Sequence, residues 1–107
     1  MDYGKVKAIC SGYGSNFITV KSLERQTYLK HILSERPYPK VCIDGNKHPN
    51  GSWTFDDGSP MTYFNWYPGE PSSSLQTCLE MYTNDQWFDV ECVTSDKCIY
   101  LCEFEMT

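Results

Sequence analysis

An α+β fold is predicted for this 107-residue chain on three observations. Two segments in its first third carry apolar residues at helical spacing. The rest alternates short apolar runs with turn residues. Six cysteines are spread from Cys10 to Cys102. A single domain is expected over residues 1–107, large enough for one core and small enough to need covalent support. An even cysteine count in a short, aromatic-rich chain reads as a disulfide framework, and hence as a secreted or extracellular protein. Zinc would want clustered ligands. The close cysteine pairs, Cys98/Cys102 and Cys78/Cys92, lie far in sequence from His31 and His48.

Tyr3, Val6, Ile9 and Cys10 form one apolar stripe on a first helix, which Gly12 and Gly14 end. A short β segment is expected at Phe17-Ile18-Thr19-Val20. Ser22 then serves as N-cap of a second helix that carries Leu23, Leu29, Ile32 and Leu33 inward and runs to Arg36, where Pro37 and Pro39 stop it. Val41-Cys42-Ile43 is a brief strand. From Gly45 to Pro71 turn residues crowd together, and long irregular loops in a compact domain usually carry function. Strands are expected at Leu79–Tyr82 and Trp87–Val90 on either side of an Asn84-Asp85 turn, and at Cys98–Phe104.

Charge and motif content remove several function classes. A formal net charge of −5 without a Lys/Arg-rich run argues against nucleic acid, whose phosphates a binding protein must neutralise. No apolar stretch approaches the ~20 residues of a membrane span, and the first residues have no apolar core of a signal peptide. There is no G-x-S-x-G, H-E-x-x-H or Gly-rich phosphate loop, so no enzyme activity is expected. Asp56-Asp57 beside Gly58 reads as a turn. Asn50-Gly51-Ser52 is an N-glycosylation acceptor sequence in a turn-rich stretch.

The second half carries a series of landmarks in order. Trp53-Thr-Phe-Asp-Asp-Gly-Ser59 comes first, then Phe64-Asn65-Trp66, Glu70-Pro71, Gln86-Trp87-Phe88-Asp89 and Leu101-Cys102-Glu103. The series resembles the C-type lectin domain family, with its W-x-W/F-x-DG turn, NW, EPN or QPD, WND and final ICE. A looser match in the first half, at Tyr3–Cys10 and at Phe17–Glu24, extends the resemblance over nearly the whole chain. It implies two helices flanking small antiparallel sheets, a long ligand-binding loop, and a first strand that has no counterpart here. Without that strand, the strand ending at Cys102 is expected to have an exposed edge.

The resemblance also implies the pairs Cys10–Cys102 and Cys78–Cys92. Cys42 stands where the family has the Trp of a core strand. A bridge to Cys98 is the simple account of the remaining pair, with two buried thiols as the alternative. In the family a calcium ion is held by the EPN Glu and Asn, by a Glu two residues before the third framework cysteine, and by the WND Asn and Asp. Here Glu70 and Asp89 remain, Ser72 and Gln76 replace two ligands, and Phe88 removes a third. The resemblance thus implies calcium as cofactor at a depleted site formed by Glu70, Ser72, Gln76 and Asp89, with weak affinity. It also implies a cis Glu70–Pro71 bond. Phe88, Tyr67 and Trp87 are candidates to stack on a sugar ring, against core or edge packing. The expected function is secreted recognition of a glycan or glycoprotein through weak calcium-dependent sugar binding. The alternatives are calcium-independent protein binding through the same surface, or a structural or matrix role such as binding a biomineral or ice surface.

Overall fold

The computed structural model describes residues 2–34, 40–72, 75–82, 86–93 and 98–104. Helix α1 (Tyr3–Gly12) starts on Asp2, whose carboxylate accepts the Lys5 amide at 3.3 Å, the usual service of an N-cap. Tyr3, Val6 and Cys10 are buried. Ile9, placed in the same stripe by its spacing, is 44% exposed, because it sits about 100° round the helix from Cys10. Helix α2 (Leu23–Ser34) is capped by Ser22, whose hydroxyl accepts the Arg25 amide at 3.2 Å. Leu29 and Leu33 are buried and Ile32 is partly buried, but Leu23 faces solvent on the outer side of the first turn. Gln26 takes the inward place instead. The expected helix end at Arg36, Pro37 and Pro39, and the Asn84-Asp85 turn, lie outside the described residues.

Among the described residues, three antiparallel sheets complete the α+β fold. Strand β1 (Asn16–Phe17) pairs with β7 (Cys102–Glu103), and β3 (Asn46–Lys47) pairs with β4 (Trp53–Thr54). The central sheet has β2 (Lys40–Ile43), β5 (Cys78–Tyr82) and β6 (Trp87–Val90) in the order β2-β5-β6. As the middle strand, β5 buries both of its faces, from Cys78 to Met81. Its Leu79 closes on Gly45, where a Cβ would collide with the leucine side chain, so any larger residue there would force the buried Leu79 to move.

The strands foreseen at Phe17–Val20 and Cys98–Phe104 shrink to the two-residue ladder of β1 and β7. The last segment changes partner midway: Ile99 bonds to Lys40 and Cys42 of β2, whereas Leu101 accepts the Ile18 amide at 3.0 Å. Neither ladder can therefore run long, and β7 has one partner among the described strands. Three disulfides tie the layers together. Cys10–Cys102 joins α1 to β7, Cys42–Cys98 joins β2 to the last segment, and Cys78–Cys92 closes the β5–β6 hairpin. A disulfide stabilises chiefly by restricting the unfolded chain, so these offset the limited core of a small domain.

Candidate metal and ligand site

Trp87 organises the long loop. Its ring is fully buried, meets Tyr63, Phe64 and Trp66 at 5.8–6.2 Å, and donates its indole N–H to Gln26 Oε1 on α2 at 2.9 Å. Its backbone binds the loop from the other side. The Trp87 N–H reaches Asn65 O at 2.8 Å, and the Trp87 carbonyl accepts the Tyr67 amide at 3.0 Å. A turn follows at once, with Glu70 N–H bonded to Tyr67 O at 2.9 Å across Pro68-Gly69. Gly69 lies at φ +93°, so Pro at the second and Gly at the third position suit a type II turn. This turn delivers Glu70 to Asp89, two residues beyond Trp87 and on the same face of β6. The Glu70–Pro71 bond is cis.

Glu70, Ser72, Gln76 and Asp89 come together. The Ser72 N–H donates to both carboxylate oxygens of Asp89 at 3.0 and 3.1 Å, and its hydroxyl lies 3.2 Å from Asp89 Oδ1 and 3.1 Å from Gln76 Oε1. Asp89 is 3% exposed. A hydrogen bond with Asp89, then burial, push the Glu70 carboxyl above the ordinary carboxylate range, with Ser72 pulling the other way. Glu70 Oε2 is buried without a hydrogen-bond partner. Two facing carboxyls with an unsatisfied buried oxygen suit either a shared proton or a cation.

The arrangement fits calcium in donor type, since all four side chains offer hard oxygens, but two carboxylates are few for such a site. Among the described residues no group of three or more His, Cys, Asp or Glu is placed to hold a metal ion. Phe88 adds no donor. Its ring stacks on Tyr67 at 4.9 Å and leans on Tyr82 at 4.5 Å. Strand alternation sends it to the face opposite Asp89. Phe88→Asn should therefore cost about 1–3 kcal/mol by breaking the stack, and gain no calcium affinity. Urea unfolding and calcorimetric calcium titration of both proteins check this, and tighter calcium binding by the variant would refute it. Tyr67, 43% exposed, packs with Phe88 on the face opposite Asp89 and keeps part of its ring toward solvent.

The chain matches the model of the lectin C-type domain over residues 1–104. It belongs to the C-type lectin domain family. The family consists of non-enzymatic binding modules. Among solved structures, the domain resembles the carbohydrate-recognition domain of the mouse scavenger receptor C-type lectin at 24% identity and TM-score 0.81, over 99% of this chain and 84% of that one. It resembles a calcium-independent type II antifreeze protein at 28% identity and TM-score 0.75, over 88% and 72%. A third likeness is SPL-1, solved as a GlcNAc complex, at 21% identity and TM-score 0.80, over 94% and 78%. The structures it resembles thus include both a carbohydrate-recognition domain and a calcium-independent protein.

This C-type lectin domain has a second acidic centre that the sequence reading missed. Asp44, at the end of β2, is 4% exposed. Its Oδ2 accepts the Asp56 N–H at 3.0 Å, and Asn46 Nδ2 lies 3.4 Å from its Oδ1. Burial, then the nearby Asp56 carboxylate, push Asp44 up to about 7 against the opposing Asp56 N–H and Lys7. Burial raises Asp56 too, but Lys7 at 2.7 Å and Asn46 at 2.8 Å outweigh it and hold Asp56 below its ordinary value. Asp57 matches the turn reading through Ser59, whereas Asp56 belongs to this network. A polar Gln26 at a core-facing helical position was the available signal for the Trp87 anchor. Asp44, beside a glycine in a loop, offered none.

Proposed function

We propose that residues 1–107 act as one extracellular recognition domain that binds glycans weakly through calcium held by Glu70, Ser72, Gln76 and Asp89. The convergence of these four side chains around the unpartnered oxygen of Glu70 carries the reading. When bound, the ion would offer open coordination positions to sugar hydroxyls. Glu70 and Asp89 would supply its charge, and Ser72 and Gln76 neutral oxygens. The GlcNAc complex of a fold neighbour and the sugar-recognition role of another support this class of ligand. The disulfide framework supports the extracellular setting. Among the described residues no helix is long and apolar enough to cross a membrane.

Calcium at ten times its Kd should raise stability by about 1.4 kcal/mol, because an ion that binds only the folded state stabilises it by RT ln(1 + [L]/Kd). Thermal melting in millimolar calcium against chelator, paired with immobilised-glycan binding under both conditions, tests the reading. An unchanged melting temperature at 10 mM calcium would remove it. A specific observation favours a second reading: Ser72 already satisfies both Asp89 oxygens, as suits a site closed without an ion. The calcium-independent neighbour at 28% identity points the same way. Binding of a protein partner undisturbed by chelator would establish that alternative.

A further inference from the structure

The β3–β4 hairpin turns through Asn50-Gly51-Ser52, all exposed. Gly51 N–H bonds to His48 O at 2.9 Å, and His48 N–H to Ser52 O at 2.8 Å. Gly51 lies at φ +88°, and a Cβ built on it would meet no atom within 4 Å, so the tip projects into open space. Asn50 Oδ1 accepts both the Ser52 N–H at 3.0 Å and the Ser52 hydroxyl at 2.7 Å. Both bonds fall on the oxygen. The amide nitrogen is left without a partner among the described residues.

We propose that Asn50 is an attachment site for an N-linked oligosaccharide. The acceptor pattern needs a hydroxyl two residues after the asparagine and no proline between, and Gly51 and Ser52 supply both. Asn16, Asn46, Asn65 and Asn84 lack Ser or Thr at that position. The donor class is a lipid-pyrophosphate-linked oligosaccharide, used by a membrane-bound transferase of the secretory pathway. Asn50 Nδ2 bonds to the anomeric carbon of the first sugar while the bond from that carbon to the phosphate oxygen breaks. The lipid pyrophosphate departs with the electron pair, and Nδ2 gives up one proton. Because the tip is held behind by the Lys47–Trp53 pairing, the folded domain can carry the sugar without rearrangement.

The proposal rests on the extracellular setting above, so the test supplies that setting. The chain is expressed behind a cleavable secretion leader in a eukaryotic cell line. Intact masses are then read from the medium and the cell membranes, before and after an amidase that cleaves Asn-linked sugars. A mass excess is expected that the amidase removes, leaving aspartate at position 50. Asn50→Gln and Ser52→Ala should abolish the excess and Ser52→Thr should keep it. Wild-type chain at the mass of its bare sequence, or an excess that persists in Asn50→Gln, overturns the proposal. Calcium and glycan binding play no part in the readout, so either reading can fail without the other.

Discussion

Asp44→Asn should stabilise the protein by on the order of 3–4 kcal/mol at pH 8 and change little near pH 4. In the folded state burial holds the Asp44 carboxyl near 7, against 3.8 in an exposed chain. Between those values the folded protein keeps a proton that the unfolded chain has lost. Its stability therefore falls as pH rises, until Asp44 ionises in the fold, and it remains low above 7. The asparagine has no such proton to lose, and its side-chain oxygen can still accept the Asp56 amide. Asp56 has the opposite sign: held low by Lys7 and Asn46, it gives stability that is lost on acidification. It is present in both proteins, so the difference between them isolates Asp44 apart from the coupling of the two acids. Urea unfolding at intervals from pH 4 to 8 measures that difference. Parallel curves for the two proteins would show that burial does not hold the Asp44 proton.

Trp87→Ala is expected to cost about 3–5 kcal/mol, the range for emptying a large buried aromatic site. It would also leave Gln26 Oε1 buried without its donor and withdraw the packing surface for Tyr63, Phe64 and Trp66. Gln26→Leu isolates the polar part. The indole N–H then loses its acceptor inside the core, which should cost about 1–3 kcal/mol with little change in volume. Both follow from denaturant unfolding with the disulfides intact. A Gln26→Leu protein as stable as the parent would mean that the hydrogen bond contributes nothing, and that apolar packing alone holds the strand bearing Asp89.

The helices were legible because each carries its own signals: Asp2 or Ser22 as cap, Gly12 as stop, and apolar residues at three- and four-residue spacing. Errors came where one position had to be chosen on a helix rim, as with Ile9 and Leu23. There the angular difference between inside and outside is small. The short β1 and β7 strands were overestimated because strand length depends on partners distant in sequence, and the last segment serves two partners in turn. For the candidate site, Glu70, Ser72, Gln76 and Asp89 were named through the family resemblance and do meet in space. How they meet was not legible, because Ser72 lies seventeen residues from the carboxylate it binds. Asp44 was hidden for a related reason. Its bonding partners are Ile18, Asn46 and the turn at Asp56, which are scattered along the chain, and no local pattern reports them.

The Cys10–Cys102 bond also governs how the domain would bear mechanical load. Tension that enters the backbone upstream of Cys10 and leaves downstream of Cys102 passes directly through two sulfur atoms, because the residues between them, 92 positions apart, form a closed covalent ring. Pulling would therefore leave the loop, the acidic pair and the hairpin tip slack while the tether tightened. Reduction of that single bond would bring only residues 10–42 and 98–102 into the line of force, because Cys42–Cys98 still bypasses the chain between them, and would release a contour length on the order of 120 Å. An oxidised domain of this design is an inextensible link in any chain that contains it.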